Sequence, residues 1–308
     1  MDFIIFIIAM GALVYGADFI IKESERIALH FNISHFVIGA TLVAFGTSLP
    51  EMAASMMASY AHKSDMAVAN VVGSVVFNIT LVLGIVFMIA KKMAPDRNLF
   101  AKDSAWVVVP VIVFFIMIQD GSIGRVDGLL FLLLMASYLF FLFTDAKDDL
   151  ADEVDASLSS KFNWLKTVAL LTIGFVLTIG GANFVIESGT NIARTFGVSE
   201  WIIGLFLISL GTSLPELVVS LVAIKKGNAD MSVGNIIGSN VANFSMVLGA
   251  SSLVHPLIVN VVDTKFDMLI MAGASLTLLF ILANKLYNKA GSIFLLVILA
   301  LFIQNSMQ

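Results

Sequence analysis

Long apolar runs separated by short charged clusters set the pattern of this chain. The runs cover residues 3–21, 36–59, 67–90, 104–118 and 128–144, then 164–186, 201–224, 232–254, 267–283 and 291–303. They are continuous rather than alternating, which predicts membrane-spanning helices and not the alternating strands, about ten residues each, of a barrel. The longest polar stretch, TDAKDDLADEVDASLSSKFN, separates the fifth run from the sixth. The expected fold is an all-α polytopic membrane protein with ten transmembrane helices. A first five-helix repeat would occupy 1–144, an acidic linker 145–163, and a second five-helix repeat 164–308.

Composition agrees with that pattern. Of 308 residues, 59% are hydrophobic and 13% charged, and mean hydropathy is +1.00, whereas soluble domains are about half apolar and a quarter charged. Of the 17 Lys and Arg residues, 13 fall in the loops after the odd-numbered spans, counting Lys166 at the start of the sixth run with the linker. The positive-inside rule then places those loops and the linker in the cytoplasm and both termini outside, extracellular or periplasmic. The opening run lacks a basic leader and a small-residue cleavage site, so it is expected to stay as the first span of a plasma or inner membrane protein. A net charge of −5 without basic tracts argues against nucleic acid, and the absence of cysteine excludes disulfides, thiolate catalysis and cysteine-ligated zinc.

The two halves are copies. Shifted by 165 residues, 39–84 falls on 204–249 without a gap, and 21 of 46 positions are identical. The same shift carries GADFIIKESERIALHFNIS onto GANFVIESGTNIARTFGVS. Each half has an odd number of predicted spans, so the copies are expected to cross the bilayer in opposite senses. Inverted repeats are the signature of secondary transporters, with the substrate site near the midplane.

Each copy carries GTSLPE, at residues 46–51 and 211–216. A carboxylate at bilayer depth costs at least about 2.5–3.5 kcal/mol, so Glu51 and Glu216 are expected to face a partner or a water-filled cavity. Pro50 and Pro215 lack an N–H, which should free the carbonyls of Gly46 and Gly211. Thr47 and Ser48 precede Glu51 by four and three residues and would share its helix face, as Thr212 and Ser213 would share that of Glu216. In the following span, Ser74 with Asn78 and Ser239 with Asn243 lie one turn apart, each Ser preceded by a Gly expected to admit another backbone. These donors are all oxygens, the choice of hard cations such as Ca²⁺ and Na⁺. The four histidines (His30, His35, His62 and His255) sit at span ends, away from both motifs. Two carboxylates sharing a dry site would repel, so an empty carrier would reorient poorly and obligatory exchange would follow.

The doubled GTSLPE and the GNxxGSN-like segments resemble the α-repeats of the sodium/calcium exchanger branch of the calcium/cation antiporter superfamily. The likeness covers nearly the whole chain and is strongest over 39–84 and 204–249. It implies four ion positions, with Ca²⁺ between the two glutamates and Na⁺ around them. By position, the implied ligands are Thr47, Ser48, Glu51, Ser74, Asn78, Thr212, Ser213, Glu216, Ser239 and Asn243, with backbone carbonyls of Ala44 and Ser209. It also implies that spans 3–21 and 164–186 slide across a static core. Asn243 stands where potassium-dependent relatives carry Asp, and Ser209 replaces a common Ala. The expected activity is Ca²⁺ exchange for Na⁺ without cofactor or obligatory protein partner, and the alternative is H⁺/Ca²⁺ exchange on the same fold. A channel would need a filter-like carbonyl run, and a hydrolase a base beside its nucleophile; neither is seen. The acidic linker has no EF-hand spacing and is expected to be a solvated connector.

Overall fold

The computed structural model describes residues 1–90, 95–148, 162–197, 211–261 and 264–306. Its helices are α1 (Asp2–Phe31), α2 (His35–Thr47), α3 (Leu49–Tyr60), α4 (Ser64–Ile89), α5 (Leu99–Met117) and α6 (Arg125–Asp148). They continue with α7 (Trp164–Thr195), α8 (Leu214–Lys225), α9 (Ala229–Val254), α10 (Lys265–Ala283) and α11 (Lys289–Ser306). Two short strands, β1 (Ser122–Ile123) and β2 (Leu257–Ile258), pair antiparallel, with Ser122 opposite Ile258. Seven helices (α1, α4, α5, α6, α7, α9 and α10) are long and apolar enough to cross a membrane. The broken pair α2–α3, bent by 44°, makes an eighth span, and α11 is a shorter apolar helix. The expected span over 201–224 lies partly outside the described residues, as does most of the linker.

Element boundaries repeat with the sequence. Helices Leu49–Tyr60 and Leu214–Lys225 match at a shift of 165, as do Ser64–Phe77 and Ala229–Ala242. The π-turns Asn78–Val82 and Asn243–Val247, and the helical ends Leu83–Ile89 and Leu248–Val254, match at the same shift. The copies therefore share backbone irregularities as well as residues.

The span expected over 3–21 is longer in the structure. Past the apolar run, α1 is carried on by local ion pairs, Lys22–Asp18 at 2.7 Å and Arg26–Glu23 at 2.5 Å. It stops at Asn32, whose left-handed φ of 54° lets its N–H reach Ala28 O.

Contacts divide the chain into two compact units, residues 1–47 with 143–235 and residues 48–142 with 236–308, so each unit draws on both halves of the sequence. In the first, α1 and α7 pack backbone to backbone. A Cβ on Gly16 would stand 2.5 Å from Thr178 Oγ1 and 2.7 Å from Gly174 O, and one on Gly181 would stand 2.7 Å from Leu13 N. Small residues at such a crossing let dispersion replace the missing hydrophobic drive in lipid. Ala17, Ile20, Ile21, Leu171, Val219 and Met231 fill the core beside it. Asp18, a span-end carboxylate, pairs here with Lys226 at 2.8 Å, tying α1 to the turn after α8.

In the second unit, aromatic pairs mark the packing: Phe77 on Phe302 at 5.7 Å, and Phe114 on Phe244 at 5.6 Å. Arg97 grips buried Asp103 through two hydrogen bonds, of 2.7 and 3.0 Å, pinning the segment before α5 to that helix. Ser292 of α11 donates to Gly84 O of α4 at 2.6 Å.

The α1–α7 crossing is testable. Gly16→Val should lower stability by about 1–3 kcal/mol through overpacking. Gly180→Ala, with open space around the new methyl among the described residues, should leave it unchanged or slightly higher. Thermal unfolding in detergent reads both. Equal melting of Gly16→Val and the unmodified chain would refute the tight crossing.

Candidate cation-binding site

Each GTSLPE segment starts a helix in the same way. Ser48 takes φ −83° and ψ 2°, Ser213 takes φ −87° and ψ 2°, and a proline in the first turn starts the next helix. That position suits proline, since its missing N–H would have had no intrahelical partner there. Glu51 and Glu216 follow in the first turn of α3 and α8, where the helix dipole favours a negative charge, and both are fully buried. Ser-x-x-Glu is also the pattern of a capping box, yet neither serine caps with its side chain. Gly46 heads the first motif because a Cβ there would lie 2.0 Å from the Phe175 ring.

Three expectations need correction. Thr47 does not share a continuous helix face with Glu51, and neither does Thr212 with Glu216, because the chain is interrupted at Ser48 and Ser213. The carbonyl of Gly211 is not free: it accepts the N–H of Leu214 at 3.3 Å, a tightened turn that replaces the bond Pro215 cannot make. Gly73 does not admit another backbone, since among the described residues nothing comes within 4 Å of where its Cβ would stand.

The second half-motif lies on α4 and α9. Asn78 and Asn243 each open a π-turn, the irregularity that often marks functional positions in helices. Ser74, Asn78, Ser239 and Asn243 are buried. Among the described residues no hydrogen-bond partner reaches Ser74 Oγ, Asn78 Oδ1, Ser213 Oγ, Ser239 Oγ or either amide atom of Asn243. Each buried polar atom left so costs about 1–3 kcal/mol, and native proteins carry few of them. An oxygen-seeking cation would satisfy such a set. Asn78 is also aimed: its Nδ2 donates to Asn240 Oδ1 at 3.2 Å, which leaves its carbonyl oxygen as the spare acceptor.

The remaining candidates divide between the units. Ser48 stands just before α3, and Glu51, Ser74, Asn78, Ser239 and Asn243 sit on α3, α4 and α9, which contact one another within the second unit. Ala44, Thr47, Thr212, Ser213 and Glu216 belong to the first. Thr47 Oγ1 lies 3.2 Å from the carbonyls of Val43 and Ala44 and 3.4 Å from Asn235 Oδ1. Ala44 is buried and Thr212 half-buried, while Ser209 lies outside the described residues.

A pair of clamps was not expected. Asn70 Nδ2 donates to Ser55 Oγ at 2.9 Å and to the backbone carbonyl of Glu51 at 3.2 Å, holding α4 to the turn that carries the carboxylate. At the equivalent positions Asn235 Nδ2 donates to Ser220 Oγ at 3.1 Å. Both Asn and both Ser are identical between the repeats, and that identity was the signal available in the sequence. Asn240 gave none, because its counterpart is Val75.

The family model for sodium/calcium exchanger proteins matches residues 1–144 and 166–307, leaving out the acidic linker. The uncharacterized membrane protein MJ0091 of Methanocaldococcus jannaschii is 35% identical over 298 residues, 97% of this chain and 94% of its own. The sodium/calcium exchanger MaX1 of Methanosarcina acetivorans is 28% identical over 323 residues, 92% of this chain and 91% of its own. The solved structure of the sodium-calcium exchanger NCX_Mj superposes with a TM-score of 0.83 at 32% identity, covering 99% of this chain and 98% of that one.

Asn240→Val, which copies Val75, removes the group that aims Asn78. The stability loss should be about 1 kcal/mol. The rise in melting temperature on adding Ca²⁺ should shrink by more than that loss explains. A calcium shift equal to that of the unmodified protein would show that Asn240 does not orient a ligand.

Proposed function

The chain belongs to the sodium/calcium exchanger family, and on that premise we propose that it exchanges Ca²⁺ for Na⁺ by alternating access, at one cation site supplied by both GTSLPE segments. It is a multi-pass membrane protein of a cation/Ca²⁺ antiporter family. The carrying observation is the set of buried hydroxyl and amide oxygens without hydrogen-bond partners among the described residues, Ser74, Asn78, Ser213, Ser239 and Asn243, alongside two buried glutamates.

The ligand set is Thr47, Ser48, Glu51, Ser74, Asn78, Thr212, Ser213, Glu216, Ser239 and Asn243, with the carbonyls of Ala44 and Ser209. Glu51 and Glu216 hold Ca²⁺; the hydroxyls and amides complete the Na⁺ positions. Ten spans in two inverted repeats, 1–144 and 164–308, generate the pairing of like elements. The linker lies in the cytoplasm and both termini outside, as the 13 Lys and Arg of the odd-numbered loops support. The tight, glycine-lined crossing of α1 and α7 suits a pair of helices that slides as one body. Carboxylates left without cations in a dry site repel, so only the loaded carrier turns over. Exchange of three Na⁺ for one Ca²⁺ moves one net charge, and 100 mV then contributes about 2.3 kcal/mol per cycle.

The test is ⁴⁵Ca²⁺ uptake into proteoliposomes under an outward Na⁺ gradient, an outward H⁺ gradient, or neither. Uptake is expected with Na⁺ alone, and Glu51→Gln or Glu216→Gln should abolish it while the proteins still melt cooperatively. Uptake driven only by H⁺ would replace Na⁺ as the coupling ion. Uptake that needs no counter-ion would end the exchange reading.

A further inference from the structure

Two imidazoles that the exchange site does not use stand against each other in the second unit. His62 lies two residues beyond α3, and His255 follows the last residue of α9. Their ring centroids are 4.3 Å apart and their planes meet at 81°. Ser59, in the last turn of α3, holds the two helix ends together by donating to Ser251 O at 2.6 Å or His255 O at 3.1 Å.

Neither histidine is inherited from the duplication. The shift of 165 residues sets Gly227 opposite His62 and Ala90 opposite His255. The turn after the helix needs a left-handed residue in both copies: Gly227 supplies it at φ 87°, which costs a glycine little. His62 occupies the same turn at φ 58°, where a side chain is strained. A side chain kept at such cost, against a second one absent from the other copy, suggests that the pair has a task.

The chemistry of the pair is specific. His255 Nδ1 lies 2.9 Å from the carbonyl of Pro256, so the ring proton sits on Nδ1 and the Nε2 lone pair is available. A backbone carbonyl on the far nitrogen is how metal-ligating histidines are oriented. His62 is exposed and His255 half-exposed, so a dissolved ion can reach both. No third His, Asp or Glu joins them among the described residues, which leaves the remaining positions to water and gives a hard cation little hold. Imidazole suits Zn²⁺, Cu²⁺ and Ni²⁺, whereas the exchange site offers only oxygen. We propose that His62 and His255 form a binding site for a borderline-soft divalent cation, separate from the transported ions. It cross-links the far end of α3, the helix of Glu51, to the far end of α9, the helix of Ser239 and Asn243.

Calorimetry on the untagged, detergent-purified chain tests this, titrating Ni²⁺ and Mn²⁺ in saturating Ca²⁺. One Ni²⁺ site is expected, with Mn²⁺ binding more weakly. His62→Gly and His255→Ala, which copy the other repeat, should each weaken Ni²⁺ binding by at least about tenfold and leave ⁴⁵Ca²⁺ uptake unchanged. Glu51→Gln should keep full Ni²⁺ binding, so failure of the exchange reading leaves this result standing. Absent Ni²⁺ binding, binding unaltered in the double variant, or binding eliminated by Ca²⁺ would each overturn the proposal.

Discussion

Two glutamates with no exposure to solvent, each at the start of a helix within an apolar span, impose the demand that the rest of this protein answers. A buried carboxylate is tolerated only with compensating charge or hydrogen bonds. Proline supplies the first part of the answer by starting a helix just before each glutamate, so that the carboxylate sits at a helix N-terminus. The Asn–Ser clamps supply the second. Asn70 reaches the backbone of Glu51 itself, so the turn that carries the carboxylate is anchored through its own main chain.

The same economy explains the orphaned atoms. Asn78 uses its amide nitrogen on Asn240 and keeps its oxygen, while Ser213, just before α8, keeps its hydroxyl without a partner among the described residues. A protein that only needed stability would have closed these bonds internally, as it did between Arg97 and Asp103. Leaving oxygens unspent is expensive, and the expense falls at the positions where the repeat is most faithful.

Where the repeat departs from itself, the chain has specialised. Asn240 answers Val75, His62 answers Gly227, His255 answers Ala90, and Asp18 with its Lys226 partner answers Asn183 with Ala61. Each departure puts a polar side chain in one copy alone, and its contact reaches into the other: Asn240 to Asn78, His62 to His255, Asp18 to Lys226. The shared residues include most of the buried oxygens that lack a partner among the described residues; the unshared ones supply contacts from one half of the sequence to the other.

Much of this was legible from the residues. Apolar runs, the 165-residue period and the doubled Ser-Leu-Pro-Glu identify a helical membrane protein with paired oxygen donors, because burial cost and proline's missing N–H are properties of the chain itself. Other features were decided by tertiary structure. Helix α1 runs past its apolar run because ion pairs continue it. Gly211 recovers a hydrogen bond that its sequence neighbour denies it, since a turn can tighten where a helix cannot continue. Asn240 and the two histidines acquire meaning only by touching residues 162 and 193 positions away, and no local pattern encodes a contact of that range. Sequence determined which atoms must be buried; packing decided which of them would be left in want of a ligand.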